Sequence, residues 1–234
     1  MRSITTCILF ILLNGCAAQT ESVSLSGSKI ASNLKSSDYK NQLTYPKATE
    51  SLHFLDQQIF ENPMWGTHLR YEYLYYPDDR FDVFVYPIAE SDWSDSQRVA
   101  KEELTRALQE IRLAEKHGYI NKMRDIQQDS VQLGDAKGAK ATFEFTDRDG
   151  EVLISHAYVF TRKDKFVKFR FSFFKGDGSA ELPDANEFAK DLLSELEVPA
   201  ESPYMATMRK TMRQQRALLS SDSAGQSVSQ KSSD

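Results

Sequence analysis

The side chains able to do covalent, acid–base or metal chemistry are few and scattered: two thiols, Cys7 and Cys16, and four imidazoles, His53, His68, His117 and His156. A zinc hydrolase carries two histidines on one helix face, four residues apart, and no pair here has that spacing. Neither a GxSxG nucleophile elbow nor a GxxxxGK[ST] phosphate loop occurs. His156 shares the apolar face of a predicted strand with Ile154 and Tyr158, as a hydrogen-bonded core or edge residue would. His117 ends a helical run, where an imidazole suits the helix dipole. Asp147-Arg148-Asp149-Gly150-Glu151 opens like a calcium loop but lacks the later ligands and the closing glutamate, so it reads as a hairpin turn. Gly176-Asp177-Gly178 has no strand-to-helix fingerprint around it and reads as a loop. The expectation is a protein with no catalytic set, no metal and no cofactor, hence not an enzyme. A hydrolase would need His53, His68 or His156 to meet a carboxylate and a nucleophile in one cleft.

Chemistry at the thiols is of another kind. Arg2 precedes an apolar run from Cys7 to Leu13, and then come Asn14, Gly15, Cys16, Ala17 and Ala18. A basic start, a short hydrophobic segment and small residues mark an export leader. The run is too short and too interrupted by Thr5, Thr6 and Asn14 to span a bilayer, which takes about 20 apolar residues. The tetrad Leu13-Asn14-Gly15-Cys16 resembles a bacterial lipoprotein signal. That resemblance implies cleavage between Gly15 and Cys16, diacylglycerol on the Cys16 sulfur, and a multi-chain anchor (acyl chains such as palmitate) that holds stably where a single chain would not. Ala17 after the cysteine, in place of aspartate, implies sorting to the outer membrane, facing the periplasm. The alternative is an ordinary peptidase cutting after Ala18 and releasing a soluble chain that begins at Gln19.

The chain has 234 residues and a net charge of −5, one unit more negative once Arg2 leaves with the leader. That is material for one core, and its sign argues against nucleic acid as a partner. With both thiols spent before residue 17, the remainder has no cysteine nucleophile, disulfide or thiolate metal site.

Residues 16–48 are polar and aperiodic and read as a flexible tether behind the lipidated cysteine, with a reach of about 30 Å. A single domain is expected over 49–199, a basic amphipathic helix over 200–219, and a disordered tail over 220–234. Within the domain, Leu69, Tyr71, Tyr73 and Tyr75 alternate with polar residues, Pro77-Asp78-Asp79-Arg80 turns the chain, and Phe81, Val83 and Val85 resume the period, which predicts a hairpin over 68–86. Ser94 and Gln97 have capping-box spacing. Ala100, Leu104, Ala107, Leu108, Ile111 and Ala114 then recur at helical intervals up to Gly118. Alternation over 139–145, 152–160 and 167–173 predicts an antiparallel meander. Asp184 and Glu187 open a second helix carrying Phe188, Leu192, Leu193 and Leu196. Two strands, a helix, three strands and a helix make an α+β fold around an antiparallel sheet of about five or more strands.

This β-β-α-β-β-β-α order resembles the PsbP-like fold. The matching features are the strand ending Phe84-Val85-Tyr86-Pro87, the long capped helix, and the strand from Phe166 to Phe174 running into the helix at 184–196. The similarity covers about residues 48–198 and implies a fold that serves assembly factors, protein-binding subunits and bacterial lipoproteins. It implies no catalytic residues, and fold alone does not set function.

The polar positions of the predicted strands, Arg70, Glu72, Lys140, Glu144, Lys168 and Arg170, are expected to form one solvated sheet face or a docking surface. Beyond Pro203, Met205, Met208, Met212 and Leu219 nearly align beside Arg209, Lys210, Arg213 and Arg216, a pattern that can lie on an anionic surface or clasp a partner. The expected function is a non-catalytic, membrane-anchored envelope lipoprotein that binds another envelope protein. The alternative is a carrier enclosing an apolar molecule among Tyr71, Tyr73, Tyr75, Phe143, Tyr158 and Phe169.

Overall fold

The computed structural model describes residues 37–76, 79–176 and 182–229. Its seven strands are β1 (Leu52–Ile59), β2 (Thr67–Tyr73), β3 (Arg80–Pro87), β4 (Asn121–Leu133), β5 (Ala136–Thr146), β6 (Val152–Arg162) and β7 (Lys165–Phe174). The helices are α1 (Ser96–Lys116), α2 (Ala185–Glu195) and α3 (Pro203–Ser229). The strands form a single sheet in the order β1-β2-β3-β7-β6-β5-β4, with every neighbouring pair antiparallel. The α+β class with helices on an antiparallel sheet is therefore the observed one.

Two strands go beyond the expected order. β1 slips phase at an irregularity between Phe54 and Asp56, which breaks its alternation. β4, at the opposite edge, has two such irregularities, so its few apolar residues fall out of one period: Met123 and Ile126 pack on the α1 side, Val131 and Leu133 on the α2 side.

Apolar side chains on the two faces build separate cores. On one face Leu69, Tyr71, Tyr73, Phe81, Val83, Phe169, Phe171 and Phe173 are buried beneath α2. Phe188 of α2 is the central ring, 5.2 Å from Tyr73 and 5.1 Å from Phe81. On the other face Ala139, Ala141, Phe143, Phe145, Leu153, Ala157 and Val159 lie beneath α1, whose predicted stripe is buried throughout. Burying one such aromatic or branched side chain contributes about 1.5–3 kcal/mol, so these stripes fix which helix covers which face.

The α1 cap is Asp95 rather than Ser94: its carboxylate accepts from the Arg98 N–H at 3.0 Å. Gly118, at φ +73°, ends the helix as predicted. Asp184 caps α2 through the Asn186 N–H at 2.8 Å.

Both ends of the domain differ from expectation. The tether does not extend to residue 48, because Tyr39 and Leu43 are 2% and 6% exposed within the α2-side core. Thr44 and Glu197 exchange backbone hydrogen bonds at 3.0 and 2.9 Å, and Tyr71 Oη donates to the Pro46 carbonyl at 2.9 Å. Two apolar side chains four residues apart anchor a segment whose composition otherwise reads as linker. Helix α3 continues to Ser229, ten residues into the stretch whose composition predicts disorder.

Candidate interaction surface

Helix α1 covers mainly β4, β5 and β6. Beside it, the same sheet face of β1, β2, β3 and β7 presents polar and aromatic side chains. Cross-strand register aligns Asp56, Arg70, Asp82 and Arg170 in one row, a ladder of alternating charge across four strands. The next row runs Gln58, His68, Phe84 and Lys168. Opposite charges directly across an antiparallel pair are mutually favourable. Arg70 pairs with the Asp56 carboxylate, and His68 Nε2 lies 2.6 Å from Asp82 Oδ1. The His68 ring stacks on Phe84 at 4.5 Å and 8°. Lys168 Nζ sits over the Phe84 and Tyr86 rings, 5.0 and 5.3 Å from their centroids.

Helix α1 supplies a charged wall along this floor. Tyr86 Oη donates to Glu103, Arg106 Nε donates to Glu103 at 2.8 Å, and Arg106 Nη1 donates to Glu110 at 2.5 Å. Burial raises the Glu110 carboxyl above its ordinary range against the pull of Arg106. Burial likewise lowers the Lys168 ammonium below its usual value, partly offset by Glu103 and Glu110. It also lowers Arg170, offset by Asp82.

The predicted polar face divides between the two sides of the sheet. Arg70, Glu72, Lys168 and Arg170 lie on the α1 side. Lys140 and Glu144 pair with Tyr158 and Ile154 on the α2 side. Alternation within a strand names its two faces, but only register relates one strand's faces to the next. Glu144 is moreover 7% exposed. Lys175 Nζ donates to it at 2.5 Å and Arg124 Nε at 2.6 Å, and these bonds, Lys175 first, hold its carboxyl below the usual range. Asp56, Asp82, Phe84 and the Glu103–Arg106–Glu110 row escaped the sequence reading. The signals for them were the alternation of Asp82 and Phe84 with the apolar residues of β3, and helical spacing in α1.

Arg209 is no surface residue. It is fully buried, donating through Nη1 to Asp164 Oδ2 at 3.0 Å and to Glu201, and through Nη2 to the Ile88 carbonyl at 2.5 Å and the Asp164 carbonyl at 3.2 Å. Its guanidinium lies 4.4 Å from the Trp93 ring. Lys165 Nζ completes the cluster, donating to Asp164 Oδ1 at 2.6 Å and to the Ala200 carbonyl at 3.1 Å. Ser37 Oγ meets the same Ala200 carbonyl at 3.2 Å, so the cluster gathers both ends of the domain. Arg213, one turn on, is exposed. Met205 is buried and Met208 and Met212 half-buried, so the expected partner-facing stripe of α3 is in large part its internal docking side.

Of the other candidates, His156 Nδ1 lies 3.0 Å from Thr142 Oγ1, and burial lowers its pKa to about 4. His68 has a carboxylate partner, but no hydroxyl or thiol lies within hydrogen-bond distance of its ring among the described residues. Asp147 Oδ1 accepts from the Asp149 and Glu151 N–H groups at 2.9 and 3.0 Å, which makes that segment a self-satisfied turn. Among the described residues no three histidine, cysteine or acidic side chains group as metal ligands, and no helix is long and apolar enough to cross a membrane. The rings of the proposed carrier interior do not form one cluster. Phe143 lies on the opposite side of the sheet from Tyr71, Tyr73, Tyr158 and Phe169, and Tyr75 is 66% exposed. Cys7, Cys16, Asp177 and Gly178 lie outside the described residues.

No protein-family model matches the chain, and no curated protein matches it. Solved structures similar to it include a protein from Bacteroides thetaiotaomicron at 14% identity and TM-score 0.41, covering 68% of this chain and 46% of that one. Another is the solution structure of cyanobacterial PsbP from Synechocystis, at 14% identity and TM-score 0.37, covering 67% and 92% of the two chains. A third is a Pseudomonas aeruginosa protein of unknown function described as a putative regulator, at 11% identity and TM-score 0.33, covering 62% and 83%. The chain spans about half the length of the Bacteroides protein. Likenesses at this level concern the course of the chain and say nothing of activity or partners.

Proposed function

We propose that this chain is a non-catalytic envelope lipoprotein that binds another envelope protein, tethered by lipid on Cys16 to the outer membrane and facing the periplasm. The observation that carries the binding reading is the row of charged and aromatic side chains on β2, β3 and β7 that α1 leaves uncovered. A face needed only for solubility has no use for half-buried cations, which cost free energy to desolvate. The tetrad ending at Cys16 supports the anchor. Twenty residues lie between Cys16 and Ser37, and their polar composition is that of a linker able to hold the domain clear of the lipid surface.

Membrane fractionation with intact-mass analysis tests the anchor. Wild-type protein should sediment with membranes and carry diacylglycerol on Cys16, and Cys16→Ser should move to the soluble fraction. Retention of the variant on membranes without lipid on wild-type Cys16, or mature chains that begin at Gln19, would refute it.

A further inference from the structure

The charge ladder of the uncovered face is incomplete at one end. Asp56 is neutralised by Arg70, and Asp82 is engaged by His68. The side chain of Arg170, the last member, has no ion pair or hydrogen bond among the described residues, and neither has that of Lys168 two positions before it. Both are half-buried and point to the same side of β7, where alternate residues stand about 7 Å apart. Behind Lys168 are the faces of Phe84 and Tyr86 rather than a carboxylate. The α1 carboxylates Glu103 and Glu110 are taken up by Arg106. Two side-chain cations are thus kept partly out of water with their donors unused.

We propose that Lys168 and Arg170 form the docking site for an extended acidic segment of a partner protein, one that presents two carboxylates at alternate positions. Such a segment carries its same-side carboxylates at about the spacing of the two cations, so each cation takes one. The Phe84–His68 stack beside them offers an apolar, flat surface to the neighbouring part of the segment. The nearby carboxylates are already engaged, Asp56 by Arg70, Asp82 by His68, and Glu103 and Glu110 by Arg106. Two cations set among paired charges make a discrete site for two carboxylates rather than the broad positive field that draws a surface to anionic lipid, so a protein segment fits where a membrane does not. The inference rests on the reading that the chain binds a protein, but not on its lipid anchor.

The probe is the peptide acetyl-Ser-Glu-Thr-Glu-Ser-amide, titrated into purified full-length protein at low salt and followed by amide chemical shifts. Saturable shifts centred on Phe84, Lys168 and Arg170 are expected. They should weaken about tenfold or more with the Gln-for-Glu peptide and with either Lys168→Gln or Arg170→Gln, each removing one charge-assisted hydrogen-bonded pair. Arg170→Lys should keep most of the binding, and well-dispersed spectra of each variant show that the fold is retained. Equal binding of the neutral peptide, or no shifts at these residues, would overturn the proposal. So would inorganic phosphate reproducing the peptide's shifts at the same concentration, because a single compact anion would then suffice. Vesicles of 30% phosphatidylglycerol that bind through Lys168 and Arg170 while the peptide does not would overturn it in favour of a lipid surface. Release of Cys16→Ser from membranes leaves these titrations unchanged, so the anchor and the docking site fail separately.

Discussion

Replacing Arg209 with methionine tests whether the buried ion cluster holds α3 and the ends of the domain in place. Methionine fills much of the same space but removes donors to the Asp164 carboxylate, to Glu201 and to the Ile88 and Asp164 carbonyls. Breaking a buried pair by deleting one partner costs about 3–5 kcal/mol, because the remaining charge stays desolvated. Two features put Arg209→Met at the lower end. Asp164 keeps its 2.6 Å bond to Lys165, and Glu201, at 38% side-chain exposure, can turn to water. The expected loss is therefore about 3 kcal/mol in urea or thermal unfolding, or about 6–12 °C in Tm for a chain of this size. Because α3 is the last of the described elements and docks largely through this cluster, part of the response is local detachment, which hydrogen exchange would register as lost protection of α3 amides. Arg209→Lys should recover less than half, since an ammonium cannot span four acceptors in a fork. Exposed Arg213→Met should change stability by less than about 0.5 kcal/mol. A loss below about 1 kcal/mol for Arg209→Met, with α3 as protected as in the wild type, would refute the cluster's role.

Two further outcomes follow from the sheet. Folding keeps the His156 ring neutral by lowering its pKa from 6.5 to about 4, so on acidification the unfolded chain takes up a proton that the folded one refuses. This contribution is full above pH 6.5, is lost as pH falls toward 4 and amounts to about 3 kcal/mol over that window. Unfolding curves of His156→Gln should show a correspondingly shallower pH dependence, and an unchanged slope would mean the ring is not desolvated. Gly66 holds φ +63° in the turn between β1 and β2, where a Cβ would stand 2.0 Å from the Val85 carbonyl oxygen. Gly66→Ala should therefore cost at least about 2 kcal/mol from combined backbone strain and overlap, and a neutral effect in thermal unfolding would show that the turn can rearrange.

What the residues determined by themselves was the set of strongly periodic elements. The Leu69–Val85 hairpin, the α1 stripe from Ala100 to Ala114, the meander and the Phe188–Leu196 helix each bury a face whose period is written in consecutive side chains. Their α+β combination followed from the order. β1 and β4 carry only broken pieces of such a period, because edge strands with irregular pairing need not alternate throughout. Ser37 to Ala48 escaped for a related reason: two buried apolar residues in a polar stretch weigh little until a partner surface is known. The interaction surface was legible only by halves. Arg70, Lys168 and Arg170 could be placed on polar faces of their own strands. Only the register showed that they share a side with Asp56, Asp82 and Phe84, and that Lys140 and Glu144 do not. Arg209 was beyond sequence altogether. Whether an arginine meets water or a ring of acceptors depends on what chain segments 45 and 121 residues away bring to it. Long-range packing sets that environment, and no local pattern records it.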